Sequence, residues 1–244
     1  MDAQTPSAKT PAKLVVFDWN GTLLDDAAHI LDCINLALAA VDHPPIGRER
    51  FSDGHNWPLT MDDPQWPLRS FYRDMGLDEA QLERLKTSER SLFHDAYAAR
   101  AGKLALRPGA EEILKHCRAA SIAMLILSNH LTGEIRKQLR HFAIEPYFAD
   151  ILAYADRDTQ FRDMPKGEKL RRFMAGAQRE PGTAIIVGDT LEEIMIAREL
   201  GMVSIALTGG VITEQRLRAA KPDHLIHSLH ELKPILQERG FASC

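Results

Sequence analysis

Leu14-Val15-Val16-Phe17-Asp18-Trp19-Asn20-Gly21-Thr22-Leu23-Leu24-Asp25-Asp26 is the stretch whose reading decides the fold. Its first four residues form a short apolar run of the kind buried in a parallel sheet. An aspartate follows at once, then a Gly-Thr turn, then the start of an amphipathic helix. A carboxylate at the C-terminal end of a buried strand stands where open α/β sheets take their ligands. Alone it is ambiguous, because a loop carboxylate is more often a turn former or helix cap. Its meaning depends on what the rest of the chain sets beside Asp18.

Outward from this stretch, Ala27, Ile30, Leu31, Ile34, Leu38 and Val41 recur at helical spacing, which predicts a helix to about Val41. From His43 to Pro67 the character changes: five prolines, Gly54, Trp57 and Trp66 read as loop with room for one short helix. A second strong helix is predicted from Asp78 to about Arg100. Beyond Leu104 strands and helices alternate, with strands at Ile122–Leu127, Ile151–Tyr154, Ala184–Val187, Val203–Leu207 and Leu225–Ile226. Alternation at this spacing indicates βαβ units and a parallel sheet, an α/β class fold. The purely helical stretch after the first strand breaks the pattern. It is expected to be a helical cap of residues 25–103, inserted into a core of residues 1–24 and 104–244.

A length of 244 residues suits one large domain with an insert, and a formal net charge of −4 offers no attraction for nucleic acid or an anionic membrane. Cys33, Cys117 and Cys244 are scattered with no paired spacing, as in a reducing cytoplasm. The first twelve residues lack the apolar core of a signal peptide, and the apolar run Ile122–Leu127 is far too short to span a bilayer. A cytoplasmic protein, monomer or homodimer, acting on a small molecule is the expectation.

Three further strand ends carry chemistry of one kind. Ile122–Leu127 ends in Ser128-Asn129; Lys166 follows Pro165 at a helix start; Ala184–Val187 ends in Gly188-Asp189-Thr190-Leu191-Glu192-Glu193. A nucleophilic carboxylate, a hydroxyl, a lysine and an acidic cluster are parts for phosphoryl transfer aided by a hard divalent cation. Each has a plainer reading. Ser128 can cap a helix, Lys166 can be a surface lysine, and Thr190-x-x-Glu193 matches a capping box. Their common position at successive strand ends argues for a shared site.

With these residues in view, the chain resembles the haloacid dehalogenase (HAD) superfamily, and within it the capped phosphoglycolate phosphatase-like hydrolases. Asp18-Trp19-Asn20-Gly21-Thr22-Leu23-Leu24-Asp25 resembles the first motif, DxDGTLxD. Ser128 matches the second, Lys166 the third and Gly188-Asp189 with Glu193 the fourth, usually GDxxxD. The resemblance implies a doubly wound parallel-sheet core and a Mg²⁺-dependent phosphatase for a small phosphorylated metabolite, working through an aspartyl-phosphate on Asp18. It implies metal ligation by Asp18, the backbone carbonyl of Asn20 and Asp189, with Glu193 either in the metal shell or capping its helix. Ser128 and Lys166 would hold the phosphoryl group, with Trp19, Gly21, Thr22 and Asn129 bordering the substrate.

One departure stands out. Where the phosphatases carry an aspartate as acid/base, this chain has Asn20, and an amide cannot deliver a proton. Losing such a group costs about 10²–10⁴-fold in rate. Three outcomes follow: a slow or leaving-group-selective phosphatase, with His55 of the insert a candidate proton donor; a C–P bond hydrolase, which would need a cap lysine where none precedes Lys86; or a regulatory protein that binds phosphate and metal. An Asn20→Asp variant is the expected discriminator. Trp57, Trp66, Arg69 and Arg73 can contact substrate or simply build the insert.

Overall fold

The structure is a computed structural model that describes residues 13–54, 66, 68–158, 160 and 163–241, apart from the side chains of residues 89–91. Its core begins with strand β1 (Leu14–Phe17), every residue of which is buried. A short strand β2 (Leu24–Asp25) leads into five helices: α1 (Ala27–Ala39), α2 (Arg48–Gly54), α3 (Arg69–Met75), α4 (Glu79–Lys86) and α5 (Glu89–Arg100). The chain returns through β3 (Ala105–Leu106), which pairs antiparallel with β2, Leu24 opposite Leu106. Entry to and exit from the helical insert therefore run side by side.

Alternation follows: α6 (Ala110–Ala119), β4 (Ala123–Leu131), α7 (Thr132–His141), β5 (Asp150–Tyr154), α8 (Lys166–Gly176), β6 (Ala184–Gly188), α9 (Leu191–Leu200), β7 (Val203–Leu207), α10 (Glu214–Ala219), β8 (His224–Ile226) and α11 (Leu232–Glu238). The six core strands lie in the order β5-β4-β1-β6-β7-β8, all parallel. This is the doubly wound α/β arrangement, with the winding reversing at β1, where such sheets open a ligand crevice. The strands' period of two divides the core. Val15, Phe17, Met124 and Ile126 pack on one face, and Leu14, Val16, Leu125 and Leu127 on the other.

Two expectations need correction. The helix expected from Asp78 to Arg100 is two helices, α4 and α5, broken at Thr87-Ser88, whose hydroxyls compete for backbone hydrogen bonds. Its start is nonetheless where the acidic residues indicated: Asp78 and Gln81 form a reciprocal capping box. The helix α3 was not anticipated. Trp66 is buried with Phe71 and Tyr72 in the insert's apolar cluster, and Arg69 pairs with Glu79, so both are structural. His55 and Trp57 lie outside the described residues. No helix among the described residues is long and apolar enough to cross a membrane.

Candidate active site

Asp18 follows β1 directly, and its backbone N–H still donates to Val187 of β6 at 2.9 Å. That bond holds the carboxylate between two strands at the reversal point. Lys166, first residue of α8, donates from Nζ to Asp18 Oδ1 at 2.8 Å and also to Glu193 Oε1, with Glu192 Oε2 at 3.9 Å. Asp189 ends β6; its Oδ1 accepts from Thr22 Oγ1 at 2.8 Å and its Oδ2 from the Val211 N–H at 2.6 Å. Glycines make room for it. A Cβ on Gly21 or Gly210 would stand 2.4 or 2.1 Å from its Oδ2, so neither position tolerates a side chain.

Asp18, Lys166, Asp189 and Glu193, all named from the sequence, lie together here. Ser128 and Asn129 join them because the β4–β5 ladder is irregular between Leu127 and Leu131, which turns Ser128, Asn129 and His130 toward a cavity of about 130 Å³. Asp18, Asn20, Ser128, Asn129 and Lys166 all line it.

Other expected substrate neighbours lie elsewhere. Trp19 is fully buried beside Val15 and Phe17, its Nε1 donating to Gln138 Oε1 at 2.6 Å, so it is a core residue. The period of two that sends Val15 and Phe17 to that face extends to Trp19. Thr22 is buried against Asp189 and orients that carboxylate. Gly21 is a left-handed turn residue, its N–H on Asp26 Oδ1 and its carbonyl accepting from Arg107 Nη1 at 2.6 Å. Glu193 does close the capping box, Oε2 taking both the N–H and the hydroxyl of Thr190 while Oε1 takes Lys166. With both oxygens engaged, it ties Lys166 to the start of α9.

The charge balance is lopsided: Asp18, Asp189, Glu192 and Glu193 converge around one ammonium. Burial pushes the Asp18 carboxyl well above its usual range, opposed by Lys166 and reinforced by Glu193 and Asp189. Asp189 is raised by burial and by Glu193. Burial acts to lower Lys166, but Asp18, Glu193 and Glu192 outweigh it, so its ammonium stays charged well above the usual range. Glu193 is held low against its burial by Lys166. Excess buried carboxylate of this kind fits a hard divalent cation. Among the described residues no group of three or more His, Cys, Asp or Glu is arranged to hold a metal ion. A cation here would rest on the Asp18 and Asp189 carboxylates, a backbone carbonyl such as that of Asn20, and water, a donor set that suits Mg²⁺.

Asn20 is clamped. Its Nδ2 donates to Asp26 Oδ2 at 2.6 Å and to Tyr97 Oη at 2.9 Å, and Tyr97 also donates to Asp26 Oδ2 at 2.6 Å. Its Oδ1 faces Ser128 Oγ at 3.5 Å. Burial lifts the Asp26 carboxyl to about 6 against the pull of Tyr97, Asn20 and Gly21. Asp26, Tyr97, Arg107 and Glu192 are the residues that motif reading passed over. Tyr97 falls within the helix expected from Asp78 to Arg100, where an aromatic at helical spacing reads as apolar core, and Asp26 lies at the end of the opening stretch.

The site has relatives. The family model for haloacid dehalogenase-like hydrolases matches residues 12–201. A phosphoglycolate phosphatase of Vibrio parahaemolyticus is 27% identical over 227 residues, spanning 92% of this chain and 96% of its own. A phosphoglycolate phosphatase of Synechococcus elongatus is 25% identical over 218 residues, covering 89% and 94%. Among solved structures, a haloacid dehalogenase-like family hydrolase of Streptococcus pneumoniae superimposes with a TM-score of 0.74 at 20% identity, over 92% of this chain and 98% of the other.

Proposed function

Because the chain belongs to the haloacid dehalogenase-like hydrolases, we propose that it is a Mg²⁺-dependent phosphatase of a small organic phosphomonoester, with Asp18 as nucleophile. The observation that carries this is the meeting of Asp18, Lys166 and Ser128 on one cavity at the reversal point of the sheet. Curated relatives that span nearly the whole chain are phosphatases of the same bond type.

Asp18 attacks phosphorus; its oxygen forms the new P–O bond as the bond to the leaving alkoxide breaks. Lys166 and the Ser128 hydroxyl bear on the phosphoryl oxygens, where negative charge gathers in the transition state. Water then attacks the acyl phosphate, releasing phosphate and restoring the carboxylate. A bound Mg²⁺, held by Asp18, Asp189 and the Asn20 carbonyl, would neutralise charge on the transferring group. Asn20 supplies no proton, and with its amide committed to Asp26 and Tyr97 it presents an acceptor to the site. Leaving groups that need little protonation, such as aryl oxides, are therefore favoured.

The C–P hydrolase reading is disfavoured by Lys166. It is the one lysine among the described residues lining the cavity, and its ion pairs keep it charged, whereas Schiff-base formation needs a neutral amine. With Mg²⁺ present, p-nitrophenyl phosphate should be hydrolysed, and Asp18→Asn or a chelator should bring the rate to background. If no aryl or alkyl phosphate turns over while phosphate still binds, the protein is a binding protein instead.

A further inference from the structure

The cavity that holds Asp18 and Lys166 also has an apolar side. Ile30 of α1 and Phe93 of α5 border it, with Tyr97 one helical turn beyond Phe93 and Val211 from the segment after β7. Ile30 and Phe93 are half-buried, so each keeps accessible surface. The Phe93 ring is fixed in orientation. It lies nearly parallel to the Tyr97 ring, at 20° with centroids 6.0 Å apart, and meets His94 edge-on at 5.5 Å. A ring held by two others presents a set face and edge, which is what offset or edge-to-face contact with a further ring requires.

Polar groups on the same lining are engaged with one another. Asn129 Nδ2 donates to Glu192 Oε2 at 2.6 Å; Gln160 Nε2 donates to the Asn129 carbonyl at 2.9 Å, and Gln160 Oε1 lies 2.7 Å from His94 Nε2. The Tyr97 hydroxyl donates to Asp26 and accepts from Asn20, so it is committed there while its ring backs Phe93. A second, independent constraint comes from the leaving group, to which Asn20 cannot hand a proton. A phenol, with a pKa of about 10 like that of a tyrosine side chain, departs as its anion with far less need of a proton than an alkyl alcohol.

Resting on the phosphatase reading above, we propose that the substrate is a single-ring aryl phosphate, its phosphoryl group on Asp18 and Lys166 and its ring against Phe93 and Ile30. Attack by Asp18 expels a phenolate, which carries off the bonding electron pair and takes its proton from solvent. Such a substrate separates this chain from relatives named for phosphoglycolate.

The test measures recognition of the ring apart from leaving-group chemistry, using phosphonates, whose carbon–phosphorus bond the reaction does not break. By calorimetry with Mg²⁺, phenylphosphonate should bind the native chain about tenfold or more tighter than methylphosphonate or 2-hydroxyethylphosphonate, the scale of burying one ring against apolar side chains. Phe93→Ala should remove most of that preference, and Phe93→Tyr, which keeps the ring, should retain it. Equal binding of the three phosphonates overturns the proposal, as does a preference unchanged in Phe93→Ala. The comparison on the native chain decides the matter even if a variant does not fold. Turnover of p-nitrophenyl phosphate separates the two levels: if it proceeds while the phosphonates bind alike, only the aryl inference falls, whereas no turnover of any aryl or alkyl phosphate removes the phosphatase reading and the inference with it.

Discussion

The two sides of one cavity differ in almost every physical respect. The floor, made of Asp18 and Lys166 with Asp189 and Glu193 behind them, is charged, buried and cross-linked by ion pairs and hydrogen bonds. The wall, made of His130, Gln160, Phe93 and Tyr97, is neutral and part aromatic, and its His130 Nε2 has no hydrogen-bond partner among the described residues. The floor is built to stabilise charge that develops on a phosphoryl group whatever is attached to it. The wall can tell one attached group from another. Under the proposed function, the groups that serve the phosphoryl transfer and those that border the rest of the substrate are thus carried by different elements.

Removing the floor's cation should have the largest effect. Lys166→Met leaves three buried carboxylates without their partner, and a loss of about 3–5 kcal/mol in stability is expected by denaturant titration, together with loss of turnover. A cost as small as that of a wall variant would erase the contrast. Next comes the clamp between the two sides. Asn20→Asp alone sets a second carboxylate against Asp26, whose Oδ2 already lies 2.6 Å from the Asn20 amide, and the two would share a proton. The single variant should therefore gain little, while Asn20→Asp combined with Asp26→Asn should raise kcat on alkyl phosphates about 10²-fold. A full gain from the single variant would show that Asp26 does not govern the position.

The smallest expected effect belongs to the wall and appears in stability against pH. Unfolded His130 takes a proton near its ordinary pKa of about 6.5, whereas the folded ring resists until about 3. The folded state is accordingly favoured above pH 6.5 and loses that advantage as pH falls toward 3. From pH 7 to pH 5 the native protein should lose about 2 kcal/mol more than His130→Gln. Parallel curves would mean that the ring is solvated after all.

Legibility in the sequence follows the same division. Asp18 and Asp189 could be placed because each directly follows a buried strand, Lys166 because it opens a helix, and Ser128 because the apolar run of its strand stops just before it although β4 itself continues to Leu131. The wall could not be placed, because its members come from α5, from β4 and from Gln160, far apart in the chain. Tyr97 reads as helix core, and nothing in the sequence marks the β4 irregularity that turns His130 inward. Trp19 was misplaced although the period of two pointed it to the core; the motif it sits in drew it toward the substrate. The break at Thr87-Ser88 shows the limit of apolar spacing alone, since α4 and α5 both keep a buried face and only the hydroxyl residues mark the division.

Helix α5 contributes Phe93 and Tyr97 to the wall, and through the Tyr97 hydroxyl it also holds Asp26 and Asn20. An outward displacement of α5 would therefore do two things at once: withdraw Phe93 and Tyr97 from the cavity and release the amide of Asn20. Under the proposed function, escape of the alcohol product and freedom of the residue beside the nucleophile would then be coupled through one helix.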